Sequence, residues 1–178
     1  MKRLLKSFDH IIELYLTRWP RSLAGLMHLV SYIGQPLYTI GILLLIGSGG
    51  LLAHNYSLVT AATVAGVTFI CNSVLKIIFH RARPINEYVR GMALETYSFP
   101  SGHAASGIVV FGLLADAAFH LLAQPYGAIV AGLLAVFIVV TGISRVYLGA
   151  HHPSDVLVGW LVGSVGLAVI VLFVQPFA

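Results

Sequence analysis

Charge is scarce in this chain. Asp, Glu, Lys and Arg make up 9% of its 178 residues, against about 25% in soluble domains. Hydrophobic residues make up 58%, and the mean hydropathy is +0.93. A soluble globule of this size cannot cover its surface with so few charges, and the same numbers exclude disorder, coiled coil and collagen. Cysteine is nearly absent as well. Cys71 stands alone in an apolar stretch, so no intrachain disulfide is available and the redox compartment is left open. Internal repeats and low-complexity segments are lacking too. What remains is an integral membrane protein of single-domain length.

The stretches without charge mark the spans. Residues 22 to 75 carry none, which at about 20 residues per crossing suits two helices. Gly34-Gln35-Pro36 interrupts this run early and Gly47 to Tyr56 reads as a turn, giving spans near 35–53 and 57–79. Three more are expected near 103–122, 126–144 and 155–175, with Leu121 to Tyr126 between the third and fourth. The runs are uniformly apolar, whereas barrel strands alternate over about ten residues, so these are helices. Residues 1–21 differ: Leu4, Phe8, Ile11, Ile12, Tyr15 and Trp19 line one helical face among five basic residues. That pattern predicts an interfacial amphipathic helix. Asp9, His10 and Glu13 stand where a signal peptide would have its apolar core. Residues 22–33 are too short to cross alone, and either continue the surface element or begin the first span at a bend. The expected architecture is all-α: an N-terminal interfacial segment over 1–34, then a polytopic membrane bundle of about five transmembrane helices over 35–178.

Five spans place the end of the second, the start of the third, the end of the fourth and the start of the fifth on one membrane face. Lys76, Arg81, Arg83, Arg90, His103, Arg145, His151 and Asp155 all belong to that face or its margin, while the turns at 53–57 and 122–126 carry no Lys or Arg. The net charge of +4 is therefore gathered where three distant segments meet. A solubilising surface would spread it over both faces, and a nucleic-acid footprint is not implied.

Three clusters share this face. In Lys76 to Pro84, Lys76 lies a turn inside the membrane margin, where a lysine is costly unless it snorkels or is paired. Arg83, just before Pro84, sits where the helix ends and can offer a planar fork to phosphate oxygens. Snorkelling of Lys76, Arg81 and Arg83 to lipid phosphates is the alternative. In Phe99 to Ala104, Pro100 and Ser101 read as a helix start with Ser101 as N-cap. Gly102 lets an anion approach the free N–H groups there, and His103 can deliver a proton; plain capping is the alternative. In Ser144 to Asp155, Pro153 suits a first helical turn. Asp155 can then accept the Nδ1 proton of His151 and leave Nε2 as a nucleophile. A charged helix cap is the alternative, with His152 its solvent-facing neighbour. Together, three cations, helix N-terminal donors and two histidines match phosphoryl transfer.

Lys-x6-Arg-Pro (Lys76 to Pro84), Pro-Ser-Gly-His (Pro100 to His103) and Ser-Arg-x5-His-x3-Asp (Ser144 to Asp155) resemble the three-part signature of the type 2 phosphatidic acid phosphatase superfamily. The resemblance covers roughly residues 35–175, leaves out the N-terminal helix, and is nearest to bacterial membrane lipid phosphatases. It implies His151 as the nucleophile that forms a phosphohistidine, Asp155 orienting it, and His103 as general acid. It also implies that Lys76, Arg83, Ser101, Gly102 and Arg145 hold the phosphoryl group, and that no metal or other cofactor takes part. The acids Glu87, Glu95, Asp116 and Asp155 make no divalent-ion cage, and adjacent His151 and His152 cannot readily share one zinc. The five apolar spans argue against the soluble vanadium haloperoxidases, which share this type of pocket.

The implied activity is hydrolysis of a lipid phosphate monoester or diphosphate, with the bilayer presenting the substrate. Phosphatidic acid, phosphatidylglycerol phosphate, isoprenoid diphosphate and lipid A are all compatible. A phosphotransferase with the same phosphohistidine, or a non-catalytic lipid-binding protein, are the alternatives; the latter predicts a lost motif position, and none is lost. Residues 85–99, with Asn86, Glu87, Tyr88, Arg90, Glu95 and Tyr97, are a candidate lid or head-group contact. The family's sites commonly face the periplasm, exterior or lumen, which implies an outward site on the inner membrane. The positive-inside rule points the other way, because every Lys and Arg lies on the site's face.

Overall fold

The structure, a computed structural model, describes residues 2–85, 87–90 and 97–177. Among these the chain forms α1 (Lys2–Leu16), α2 (Ala24–Ile33), α3 (Pro36–Leu52), α4 (Tyr56–Phe79), a short α5 (Glu87–Arg90), α6 (Gly102–Leu121), α7 (Tyr126–Tyr147) and α8 (Pro153–Val169). Five helical runs among the described residues are long and apolar enough to cross a membrane: Arg21–Leu52, Tyr56–Phe79, Gly102–Leu121, Tyr126–Tyr147 and Pro153–Val174. Their outward side chains are apolar, with Leu44, Ile70, Leu133, Leu161 and Leu172 all exposed, as a lipid-facing surface requires. The protein is a multi-pass membrane protein.

The first run begins at Arg21 rather than near residue 35. Pro36 occupies the first turn of α3, where its missing N–H costs nothing, so the sequence break bends the run without ending it. Gly34 makes the bend possible, because a Cβ there would lie 2.6 Å from Thr141 Cγ2 on α7. Residues 22–33 therefore start the first run at a bend and pack along α7.

Helix α6 is central, in contact with α3, α4, α7 and α8. Its buried first turns carry small residues, Ala104, Ala105, Ser106 and Gly107. Facing them, α8 presents Gly159 and Gly163, where a Cβ would stand 2.5 Å from the carbonyl oxygens of Ser101 and Ala105. Small residues four apart let helix backbones approach closely in lipid, where packing rather than hydrophobicity drives association. This contact sets the start of α6 beside the start of α8. Deeper in the bilayer, Leu43, Ala61, Val109, Val110, Leu113 and Ile170 close the core.

Helix α1 lies against α7 and α8. Leu5, Phe8, Ile11 and Tyr15 point outward, while Asp9 is buried and Leu16 packs with Ile12 and Trp19 against Val146 and Val156. The acidic side of α1, not only an apolar one, is turned toward the protein.

Candidate active site

Four helix ends meet at one membrane margin. The last turn of α4 brings Lys76, and the left-handed cap at His80 (φ 46°) releases the chain into an extended segment carrying Arg81 and Arg83. Ser101 caps α6, its Oγ accepting from the Ala104 N–H at 3.5 Å, and its own N–H donates to the Asp155 carbonyl at 2.9 Å. The last turn of α7 brings Arg145, and the loop to α8 brings His151. Lys76, Arg83, Gly102, His103, Arg145 and His151 line a single cavity of about 1110 Å³. Ser101 and Asp155 are fully buried behind its wall. The eight residues expected from the three motifs are thus gathered around one space.

That space has both cationic and apolar walls. Arg145 is 1% exposed, and its Nη1 donates to Ser31 Oγ and, at 2.9 Å, to the Tyr88 hydroxyl. Its Nε and Nη2 find no partner among the described residues. Buried guanidinium donors left unpaired are costly unless an anion takes them. Lys76 donates to the Tyr97 carbonyl at 2.9 Å, so the lysine inside the margin is partnered rather than snorkelling. Arg83 Nη1 donates to the Ala150 carbonyl at 3.1 Å and lies 3.3 Å from His151 Nε2. Leu29, Leu37 and Ile40 of α2 and α3 also line the cavity and are exposed. Helices of the first apolar run therefore give it an apolar wall.

His151 is 2% exposed. Burial pushes its imidazole down to about 3; the cations Arg145, Arg83 and Lys76 push the same way, and Asp155 opposes them. It is neutral at physiological pH, with Nε2 in the cavity. Its Nδ1 is 3.6 Å from Asp155 Oδ2, longer than a hydrogen bond. The two face each other as the spacing predicts, with a gap of a few tenths of an ångström still to close.

The geometry accords with a comparison by sequence. The profile of the PAP2 superfamily matches residues 56–177. The chain belongs to the PAP2 superfamily. The matched region runs from α4 to the end of the last helix and holds all three motifs; α1, α2 and α3 lie outside it. Phosphatidylglycerophosphatase B of Bacillus subtilis is 30% identical over 75% of this chain and 66% of its own length. An undecaprenyl-diphosphatase of Sulfolobus acidocaldarius is 36% identical over 55% of this chain and 46% of its own. This chain thus spans between about half and two thirds of these relatives. The crystal structure of a transmembrane PAP2-type phosphatidylglycerolphosphate phosphatase from Bacillus subtilis superposes with a TM-score of 0.81 at 25% identity, covering 98% of this chain and 88% of that one.

Several residues of this PAP2 protein's site escape a reading by motif. Arg81 does not reach for lipid phosphate. It donates to Asp155 Oδ1 at 2.7 Å, Ser154 Oγ at 2.7 Å and Asp9 Oδ2 at 2.6 Å. His152 is not simply solvent-facing either: its Nδ1 lies 2.7 Å from Glu13 Oε1, and its N–H donates to Asp155 Oδ2 at 2.9 Å. Ser31 comes from α2, outside every motif. Of the loop residues, Tyr88 enters the cavity. Burial alone would raise its phenol, but Arg145 beside it brings it below the usual value. Asn86, Glu95 and the Glu87 side chain lie outside the described residues. A sequence signal existed for Asp9 and Glu13, two acids one turn apart on a helix otherwise basic and apolar, and none for Ser31.

Proposed function

We propose that this PAP2 protein is a metal-independent lipid phosphatase, acting on a lipid phosphate monoester or diphosphate through a phosphohistidine on His151. The observation that carries this reading is the cavity itself. It sets unpaired Arg145 donors beside a neutral histidine and has apolar residues of α2 and α3 in its wall, so a lipid can present its phosphate while its tails stay in hydrocarbon.

The geometry supports the following sequence of events. Lys76, Arg83, Arg145 and the N–H groups at the start of α6, next to Ser101 and Gly102, hold the phosphoryl oxygens and neutralise their charge. His151 Nε2 attacks phosphorus as the Arg83 hydrogen bond to that nitrogen passes to a phosphoryl oxygen. The P–O bond to the leaving group breaks, and His103, which takes up a proton along with the incoming phosphate anion, gives it to the departing oxygen. Asp155 steadies the positive charge that develops on the His151 ring. Water then attacks the phosphohistidine, His103 takes its proton, the P–N bond breaks, and inorganic phosphate leaves with His151 neutral again.

Phosphatidic acid, phosphatidylglycerol phosphate, an isoprenoid diphosphate and a lipid A-type phosphate all present the required group; the names of the relatives include phosphatases for the second, third and fourth. Phosphate release from such a panel in detergent, with chelator present, tests the reading. Activity that survives His151→Ala, or that chelator abolishes, refutes it. Phosphoryl transfer to an added lipid alcohol in place of release would favour the phosphotransferase.

We place the site on the outward face of the inner membrane, as the family resemblance implies. Arg81 is committed to Asp9 and Asp155, and Lys76, Arg83 and Arg145 to the cavity, so fewer basic residues remain to count toward a cytoplasmic side. Labelling of Ser7→Cys and Ser57→Cys in a Cys71→Ser background decides this. Reaction of Ser57→Cys alone with an impermeant reagent on intact cells would put the site inside and overturn the placement.

A further inference from the structure

Asp9 is the anomaly of helix α1. It is 3% exposed on a helix whose other inward contacts are mostly apolar, and each of its hydrogen bonds leads toward the active site. Its Oδ1 accepts the Ser154 N–H at 2.8 Å, and its Oδ2 accepts the Ser154 hydroxyl at 2.8 Å and Arg81 Nη2 at 2.6 Å. The other terminal nitrogen of Arg81 donates to Asp155 Oδ1 at 2.7 Å. The remaining oxygen of Asp155 takes the His152 N–H at 2.9 Å and faces His151 Nδ1 at 3.6 Å. One guanidinium is therefore shared between two buried carboxylates, one from the N-terminal helix and one beside the histidine.

A tether for α1 does not need this arrangement. Glu13 already reaches His152 at 2.7 Å, and Leu16, Ile12 and Trp19 pack against Val146 and Val156. Burying a further carboxylate is expensive unless its charge is used. Its effect here is electrostatic and geometric. Held from one side by Asp9, Arg81 meets Asp155 through a single nitrogen rather than as a two-pronged fork. Its positive charge is also divided between two acids. Asp155 then stays fixed in direction and keeps negative character toward His151. Without Asp9, Arg81 is free to close on Asp155 alone and cancel the charge that supports the ring.

We infer that α1 belongs to the catalytic apparatus of this protein: Asp9 is a positioning residue that acts through Arg81 on Asp155, and through it on His151. The inference rests on the reading of His151 as nucleophile, and it extends the working site into a segment outside the matched family region, residues 56–177.

The test uses the full chain in dodecyl maltoside, with dioctanoyl phosphatidic acid as probe. Asp9→Asn keeps an acceptor for the Ser154 N–H but offers an amide to Arg81. We expect kcat to fall at least tenfold with KM within twofold, and trapped phosphoenzyme to form correspondingly more slowly. Ile12→Ala, which loosens the apolar packing of α1 without touching Arg81, keeps kcat within twofold. Asp9→Glu restores the charge and keeps kcat within threefold; if Asp9→Asn does not survive extraction, the Glu variant carries the comparison with Arg81→Gln. In an Asp155→Asn background, Asp9→Asn costs less than a further twofold, because the path it acts through is gone. A normal kcat in Asp9→Asn, or a loss matched by Ile12→Ala, overturns the inference. So does a full further loss in the Asp155→Asn background. Should His151→Ala remain active, the nucleophile assignment itself fails; should it be inactive while Asp9→Asn is normal, only the role of α1 fails.

Discussion

The contact between α6 and α8 makes a prediction about a residue that touches no substrate. A Cβ at Gly159 would lie 2.5 Å from the Ser101 carbonyl oxygen, 2.9 Å from Ala104 Cβ and 3.3 Å from the Ser101 nitrogen. Two of these are backbone atoms and none is the tip of a flexible side chain, so Gly159→Ala cannot be absorbed by a rotamer change. Ordinary van der Waals contact begins at 3.4 Å, which requires the two helix starts to separate by about 0.9 Å. The Ser101 N–H to Asp155 carbonyl bond, now 2.9 Å, would stretch beyond hydrogen-bond range. Overpacking costs about 1–3 kcal/mol, and the lost bond about 1 kcal/mol more. The larger effect is on catalysis. Ser101, Gly102 and His103 ride on α6 while Asp155 rides on α8, so the shift separates the proposed phosphate-holding end of α6 from His151 and its carboxylate. A misplacement near 1 Å costs on the order of 100-fold in rate. We expect Gly159→Ala to remain folded in detergent, to melt several degrees lower, and to release phosphate from dioctanoyl phosphatidic acid about 100-fold more slowly at saturation. Gly107→Ala is the matched control, since a Cβ there meets nothing within 4 Å; it should keep activity within threefold. A Gly159→Ala enzyme with wild-type kcat would show that the spacing of the two helices does not set the site, and the argument would fall.

Arg145→Lys replaces a fork by a point charge: it gives up the unpaired Nε and Nη2 donors and the seat of the guanidinium 5.5 Å over the Tyr88 ring. We expect kcat/KM to fall about 100- to 1000-fold, and a loss below threefold would refute a donor role. Tyr88→Phe removes the hydroxyl that accepts from Arg145 at 2.9 Å; it should change KM and relative rates across the lipid panel while leaving kcat on the best substrate within threefold. A purely solvated loop predicts no change in either. His151 gives a pH dependence of stability. Its folded value of about 3 lies below the ordinary 6.5, so the unfolded chain binds the proton first. Stability is fully present above 6.5 and is lost as pH falls toward 3, at about 1.4 kcal/mol per unit. The melting temperature of the wild type should therefore drop more steeply between pH 6 and 4 than that of His151→Asn, and equal slopes would contradict the buried neutral state.

The motif residues were legible because each of their segments states its own geometry. Pro84 keeps Arg83 out of a helix, although α4 already closes at Phe79 with His80 as its cap; Ser101 starts another helix and Pro153 a third, and five spans force those ends onto one face. What the chain does not announce is pairing across distance. Arg81 reads as one more basic residue at a membrane margin, and only the folded chain shows it between Asp9 and Asp155. The N-terminal helix reads as amphipathic with its apolar face as the working one. Its acids prove to be the inward contact because α8 offers them the free Ser154 N–H in its first turn, a partner invisible to periodicity. The start of the first span stays open between two readings in the sequence for a similar reason. A proline is a local breaker, but whether it ends a crossing or bends one depends on Gly34 finding Thr141 on another helix.

These pieces explain why so little charge suffices. A lipid's phosphate sits at the edge of the hydrocarbon, about 15 Å from the bilayer centre, and the ends of α4 and α7 and the starts of α6 and α8 stand at such an edge. Lys76 and Arg145 each lie within the last turn of their helices, and His103 and Asp155 within the first turn of theirs. A lipid substrate of the proposed kind need not be lifted into water to be reached. Helix α1 fits the same level from outside: Phe8, Ile11 and Tyr15 face outward, where an interfacial helix beds in lipid, while Asp9 on its other side grips Ser154 and Arg81. A helix bound to both fixes the height of the site relative to the surface that delivers its substrate. Loosening that grip should therefore change catalysis before it changes the fold.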